Sequence, residues 1–150
     1  MTVRLNSSLR NAMMNTYGFV PMMNFGVIKV FSGPPPQTAD GAEQGVLLAT
    51  ITQDGLSFEP GQQAGGLSLR PGPVVGAVSK MGNWVLRGRA SGAAGWWRWC
   101  WNGIDHGEVN ENVPRVDAAI GVGIVLPNPM ISPTTDEALA SFSVHLPPYF

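Results

Sequence analysis

The spacing of the hydrophobic positions changes once along the chain, near residue 22. Before that point, apolar residues recur at every fourth position, the spacing of one face of an α-helix: Leu5, Leu9, Met13 and Tyr17. Asn6 or Ser7 is a suitable N-cap, and Gly18 followed by Pro21 marks a helix end. The pattern therefore predicts one N-terminal helix, with residues 1–22 forming a helical arm.

Beyond residue 22 the apolar residues alternate or form short runs, as in β-strands, and Gly and Pro residues separate the runs. The predicted strands cover residues 25–31, 46–52, 74–79, 83–90, 95–102, 115–126 and 138–146. Asp54-Gly55 is a hairpin turn signal, after which residues 56–58 are expected to pair back. We predict an all-β fold for residues 23–150, a β-sandwich or jelly roll of about seven or eight strands with one N-terminal helix. A barrel is the alternative.

Two connections are long for a compact domain. Residues 33–45 begin with Pro34, Pro35 and Pro36, which favour an extended entry into the loop. Residues 59–73 are rich in Gly, Gln and Pro, and Leu67 and Leu69 are almost their only apolar anchors. Because long loops in compact domains are usually functional, we interpret both as arms that contact other proteins.

The charge content is low: charged residues make up 13% of the chain, about half of the usual ~25%. Arg87, Arg89 and Arg98 are the one basic cluster, too small for a nucleic-acid-binding stripe. The sequence has no run of ~20 apolar residues to span a membrane and no signal-peptide order at its start, so we expect cytosolic synthesis. A charge-poor surface favours a subunit covered by neighbours, because stable interfaces deplete charge at their centres. A monomer with a neutral polar surface is the alternative.

No set of residues in the sequence indicates a catalytic site or a cofactor-binding site. The serines lack the Gly-x-Ser-x-Gly elbow, and Cys100, with His106 six positions later, alternates with tryptophans as a core residue would. Asp105, His106 and Glu108 share a loop that does not follow the order of a calcium hand, so a polar hairpin loop is preferred to a metal site. His145 lies between apolar residues and is interpreted as a surface or interface side chain. We expect no enzymatic activity, no metal and no cofactor.

The densest aromatic pattern lies in residues 95–102. Alternation along a strand separates its side chains into two sets, Trp97, Trp99 and Trp101 on one face and Trp96, Arg98 and Cys100 on the other. Core packing is the preferred interpretation of one set, because aromatic side chains bury the most area per residue. The other set would then meet a second layer or a neighbour. A carbohydrate-binding β-sandwich, which would stack sugars on the tryptophans, is the alternative.

Part of the sequence resembles small virion proteins of tailed bacteriophages. The likeness is strongest over residues 26–52, where an apolar strand ends in a Gly-x-x-Pro turn and an Ala-Asp-x-Ala loop leads to a Gly-x-Leu-Leu-Ala strand. The matching residues are Ser32, Gly33, Pro36, Ala39, Asp40, Ala42, Gly45, Leu47, Leu48 and Ala49. The helical opening at residues 8–12 and the Gly-Trp-Trp-Arg-Trp strand at residues 95–99 are similar as well.

This resemblance implies a structural role in a virus particle. The preferred expectation is a capsid decoration (cement) protein, made in the host cytoplasm, that bridges major capsid subunits and forms a homo-oligomer, with a trimer as one possibility. The expected contact residues are Leu9, Met13, Tyr17, Pro34, Pro35, Pro36, Leu67, Leu69 and Arg98. A head–tail connector or tail component is the second interpretation, and the carbohydrate-binding module is the third.

Overall fold

The structure is a computed structural model that describes residues 3–16 and 18–145. In chain order its helices are α1 (Ser7–Asn15) and α2 (Phe19–Met23). Its strands are β1 (Arg4–Leu5), β2 (Val27–Ser32), β3 (Leu47–Gln53), β4 (Ser68–Pro71), β5 (Ala77–Met81), β6 (Trp84–Gly88), β7 (Gly92–Cys100), β8 (Arg115–Ala119), β9 (Met130–Ile131), β10 (Asp136–Ala138) and β11 (Ser143–His145). The predicted all-β class, in the form of a sandwich, is confirmed.

Two sheets of unequal size form the sandwich. The larger has the strand order β1-β8-β7-β2-β3-β6-β10, with β9 added along β7, and the smaller has the order β11-β5-β4. Every pairing between named strands is antiparallel. The chain crosses between the sheets in the segment between Ala138, which ends β10 on the large sheet, and Ser143, which begins β11 on the small one.

The core lies on the inner face of the large sheet and is built around one phenylalanine. The Phe142 ring lies 4.9 Å from the ring of Trp84, 5.6 Å from that of Trp97 and 5.4 Å from that of Trp99. All four side chains are buried, and Trp97 donates its indole N–H to the Val122 carbonyl at 2.9 Å. Aromatic rings in tilted and edge-to-face contact both fill volume and hold their neighbours in place.

The N-terminal segment differs from the prediction of a single helix. Asn6 is the N-cap of α1, its side chain accepting from the Leu9 N–H, but Gly18 begins α2 rather than ending the helical region. Pro21 lies in the first turn of α2, where a missing N–H costs nothing because that N–H has no intrahelical partner. Tyr17, a predicted contact residue, lies outside the described residues. In the described part of the chain, neither helix has the length and apolar character needed to cross a bilayer.

Several predicted contact residues lie in the interior. Leu9, in α1, is buried, and β1 joins the large sheet beside β8, so this segment is packed onto the sandwich. Leu67 and Leu69 are buried too, because the chain around them pairs with Gly26 and with β5. These three leucines stabilise the fold and are not available to a partner, which corrects the expectation from the sequence.

Candidate functional site

A continuous row of polar side chains crosses the outer face of the large sheet. Strand registers place seven residues side by side, in the order Asp136, Arg87, Thr50, Lys29, Arg98, Asp117 and Arg4. Directly opposed residues on neighbouring strands share a face, so the row runs from one edge of the sheet to the other. These positions are up to 132 residues apart in sequence, from Arg4 to Asp136, so no local pattern reveals the row.

Arg98 and Asp117, near one end of the row, form a buried bidentate ion pair. Arg98 Nε donates to Asp117 Oδ1 at 2.7 Å and Nη2 to Oδ2 at 2.9 Å, and neither side chain is exposed. Arg98 also donates to the Gly41 carbonyl at 2.8 Å, and its guanidinium lies 5.4 Å from the centre of the Trp96 ring. The prediction that Arg98 contacts a partner is therefore wrong.

A second arginine, Arg115, also donates to the Gly41 carbonyl in the loop of residues 33–45. Arg115 donates through Nε and Nη2 to the two carboxylate oxygens of Asp105, each at 2.7 Å, and through Nη1 to the Gly41 carbonyl at 3.1 Å. Burial alone would raise the pKa of Asp105, but the hydrogen bonds and charge of Arg115 and the Gly107 N–H bring it below its ordinary value. The Asp105–Arg115 pair thus ties the loop after β7 to β8 as well.

The loop of residues 33–45, interpreted from the sequence as a free arm, instead covers one half of the outer face. Pro36 is buried and Pro35 half-buried, and Arg4 donates to the Pro36 carbonyl. Asp40 accepts from the backbone N–H of Ser7 at 2.9 Å and from its hydroxyl at 2.6 Å. Of the three prolines, Pro34 alone is exposed. The Pro-rich loop is therefore a built layer of the fold, fastened to β7, β8 and the start of α1.

The other half of the outer face, formed by β2, β3 and β6, is an open groove of about 490 Å³. Its lining includes the cations Lys29, Arg87 and Arg89, the hydroxyl of Thr50, and the apolar side chains of Leu56 and Phe58. A groove of this size with both apolar and charged walls is typical of a binding site for small ligands or peptide side chains.

The sequence identified two of the groove's arginines, but only as part of a weak basic cluster. Arg87 and Arg89 alternate on β6 and beyond its end, so they point to the same face, whereas Arg98 is buried beside Asp117. Lys29 was not singled out at all. It donates to Glu43 at 2.9 Å, and although burial lowers its pKa, its negatively charged neighbours, including Glu43, raise it above the ordinary value. The Arg-x-Arg pattern at the end of the β6 strand was the sequence feature from which this groove could have been predicted.

Most of the other residues that the sequence offered for ligand binding, catalysis or metal binding are buried or paired within the fold. Trp96, Trp97 and Trp99 are fully buried and so offer no platform for sugars, whereas Trp101 is half-buried. Burial raises the pKa of Cys100 to about 12, so its thiol stays protonated at neutral pH. Asp105 is occupied by Arg115, and the described residues contain no group of three His, Cys, Asp or Glu side chains placed to hold a metal ion.

Comparison with known proteins adds no relative. No protein-family model, no curated protein and no solved structure matches the chain. The geometry of the described residues and the sequence resemblance are therefore the basis for a functional proposal.

Proposed function

We propose that this chain is a structural subunit of a tailed-phage virion, most simply a capsid decoration protein that binds across neighbouring major capsid subunits. Three features support the proposal: the resemblance over residues 26–52, the low charge content of 13%, and apolar side chains exposed at the ends of loops. The first two come from the sequence. The third gives candidate positions for contacts with other subunits.

The observation that carries the proposal is the end of the β4–β5 hairpin. Val75 is fully exposed and Val74 is 61% exposed, between Pro73 and Gly76. The hairpin is closed by the Gly72 N–H donating to the Ala77 carbonyl at 2.8 Å, so the two valines stand on a defined turn. Single exposed apolar residues are ordinary, but two adjacent valines at a protruding tip are suited to insertion into a partner.

The binding free energy from such a contact is modest for one copy of the protein but adds up over a whole shell. Burying one valine side chain contributes roughly 1.5–3 kcal/mol before the costs of association. Repetition over many equivalent sites on a capsid would convert a weak contact into stabilisation of the whole particle. Met14 in the last turn of α1, 84% exposed, and Val109 on a loop, 73% exposed, are further exposed apolar side chains of this kind.

The direct test is binding to shells of the major capsid protein encoded with this chain, followed by co-sedimentation. We expect the wild-type protein to sediment with the shells. Val75→Asp should lose this binding, whereas Ser91→Asp, which adds the same charge on another exposed loop, should keep it. Absence of the wild-type protein from the shell pellet would contradict the decoration role.

Copy number in purified particles separates the head from the tail. A decoration protein occupies every equivalent lattice position, whereas a connector or tail component forms a single ring of few copies. Quantitative mass spectrometry against the major capsid protein measures this ratio. A ratio near that of the lattice supports decoration, and a ring-like ratio moves the proposal to the head–tail junction or tail.

A further inference from the structure

The charges that line the groove of β2, β3 and β6 are not balanced. Lys29 is paired with Glu43 at 2.9 Å, and Arg87 has only a loose contact of 3.9 Å with Asp136, both of those side chains being more than half exposed. Arg89 has no carboxylate within 4.0 Å among the described residues and makes one long contact, 3.4 Å, to the Thr50 hydroxyl. The groove therefore presents two arginines whose hydrogen-bonding capacity is largely unused.

The arginines have a defined spacing because they belong to one strand and its extension. Arg87 and Arg89 are two positions apart, which in extended chain corresponds to about 6.6–7 Å along the strand. Carboxylates at alternate positions of an extended peptide have the same spacing. Arginine is also the side chain best suited to bidentate binding of carboxylates.

The backbone beneath Arg87 helps to fix its position. Gly55 has φ +69°, a backbone conformation that favours glycine, and the Arg87 guanidinium packs against it: a Cβ at that position would lie 2.8 Å from Arg87 Nε. Leu56, 53% exposed, and Phe58, half-buried, continue from this glycine along the groove. An apolar residue between two carboxylates points to the opposite side of an extended peptide. Leu56 and Phe58 line the same groove and are the apolar side chains available to contact it.

We propose that the groove binds an extended segment of a partner protein that carries acidic residues at alternate positions with an apolar residue between them. The inference is independent of the virion role, because its test uses the isolated protein and defined peptides. Charge complementarity selects this occupant: the groove offers cations at strand spacing, its positive charge repels basic segments, and neutral polar segments lack the attraction that carboxylates have.

The test is isothermal titration of the full chain at low ionic strength with three blocked peptides. Acetyl-Ser-Asp-Leu-Asp-Ser-amide has the predicted pattern, acetyl-Ser-Asn-Leu-Asn-Ser-amide lacks the charges, and acetyl-Ser-Leu-Asp-Asp-Ser-amide has adjacent acids. We expect the first to bind at least tenfold more tightly than either control and to weaken as salt is added. Equal binding of all three, or binding of none, would overturn the proposal.

Matched variants locate the site. Arg89→Glu should lower the affinity for the alternating peptide at least tenfold, and Arg89→Gln should give a smaller loss. Arg70→Glu makes the same charge reversal on β4, away from the groove, and should change affinity less than twofold. An equal loss in Arg70→Glu would show a general charge effect and overturn the assignment. Inorganic phosphate is titrated in parallel, and competition at equal concentration would show a simple anion site instead of a peptide site.

Discussion

Arg98 on β7 and Asp117 on β8 lie directly opposite each other in the sheet, and their charged groups meet at 2.7 Å with neither side chain exposed. A buried ion pair compensates for lost hydration only while both partners are present. Arg98 also donates a hydrogen bond to the Gly41 carbonyl, in the loop of residues 33–45 that covers this half of the sheet.

Removing one charge of this pair should destabilise the protein strongly. Arg98→Met leaves Asp117 buried without its partner and should lower the free energy of unfolding by about 3–5 kcal/mol. Arg87→Met is the control, because the Arg87–Asp136 contact is exposed and should be worth about 0–1 kcal/mol. Urea unfolding followed by tryptophan fluorescence measures both.

Replacing both partners distinguishes loss of a charge pair from loss of a specific contact. Arg98→Met with Asp117→Leu removes both charges and should recover most of the stability lost in the single variant. Limited proteolysis within residues 33–45 should nevertheless be faster than in the wild type, because the Gly41 carbonyl has lost its donor. Unchanged protection of that loop would show that Arg98 does not hold it.

The Asp105–Arg115 pair should make stability depend on pH in the acid range. The pKa of Asp105 is lower in the folded chain than its ordinary value of 3.8, so the unfolded chain binds the proton more readily. The stability that this carboxylate contributes is complete above its unfolded pKa and is lost as pH falls through the folded pKa. The advantage of the wild type over Asp105→Asn in unfolding free energy should therefore shrink as pH falls below about 4.

Comparing the two proteins isolates this carboxylate from others. Burial raises the pKa of Asp117 in spite of its arginine neighbours, but Asp117 titrates in both proteins and cancels in the difference. Chemical denaturation at a series of pH values gives the two curves. A difference that stayed constant from neutral pH to the acid limit would mean that Asp105 does not gain stability from Arg115.

Cys100 should be chemically silent in the folded chain. It is 2% exposed, and burial raises the pKa of its thiol to about 12, so almost no thiolate forms at pH 8. A chromogenic disulfide reagent should react with it completely in guanidinium chloride and negligibly in native buffer over the same time. Rapid labelling of the native protein would show that the strand end around Cys100 opens.

Gly95 should be indispensable to the covering loop. A Cβ there would lie 1.9 Å from the Gly33 carbonyl oxygen, a backbone atom that cannot move without displacing the start of residues 33–45. Gly95→Ala should therefore lower the melting temperature and expose the loop to protease. Gly18→Ala is the control, because its Cβ would meet nothing closer than 3.8 Å and its φ of −81° suits any residue.

The period-two pattern predicted two neighbouring central strands of the large sheet closely, but it missed β4, which lies in residues 59–73. Residues 25–31 and 46–52 were predicted, and the structure has β2 at Val27–Ser32 and β3 at Leu47–Gln53. The predicted strand at residues 115–126 ends early, because Gly121 and Gly123 take positive φ and turn the chain. The predicted strand at residues 138–146 is interrupted: Ala138 ends β10 on the large sheet, and β11 on the small sheet covers only Ser143–His145, since an apolar pattern does not state which sheet each residue joins.

The sequence also predicted the loop of residues 33–45, but interpreted it as an arm although it lies on the sheet. Proline and glycine content indicates an irregular path, whereas the location of that path depends on distant donors. Residues 33–45 lie on the sheet because two arginines from β7 and β8 reach the same carbonyl at Gly41. Those donors come 57 and 74 positions later in the chain.

By itself the sequence determined the class of fold and the aromatic centre of its core, because side-chain periodicity and apolar area act locally and are visible in any short window. Tertiary structure decided which charges are buried in pairs and which remain open in a groove. Strand register sets that outcome: it brings Arg98 to Asp117 and leaves Arg89 without a carboxylate among the described residues, and register depends on the whole sheet rather than on neighbouring residues.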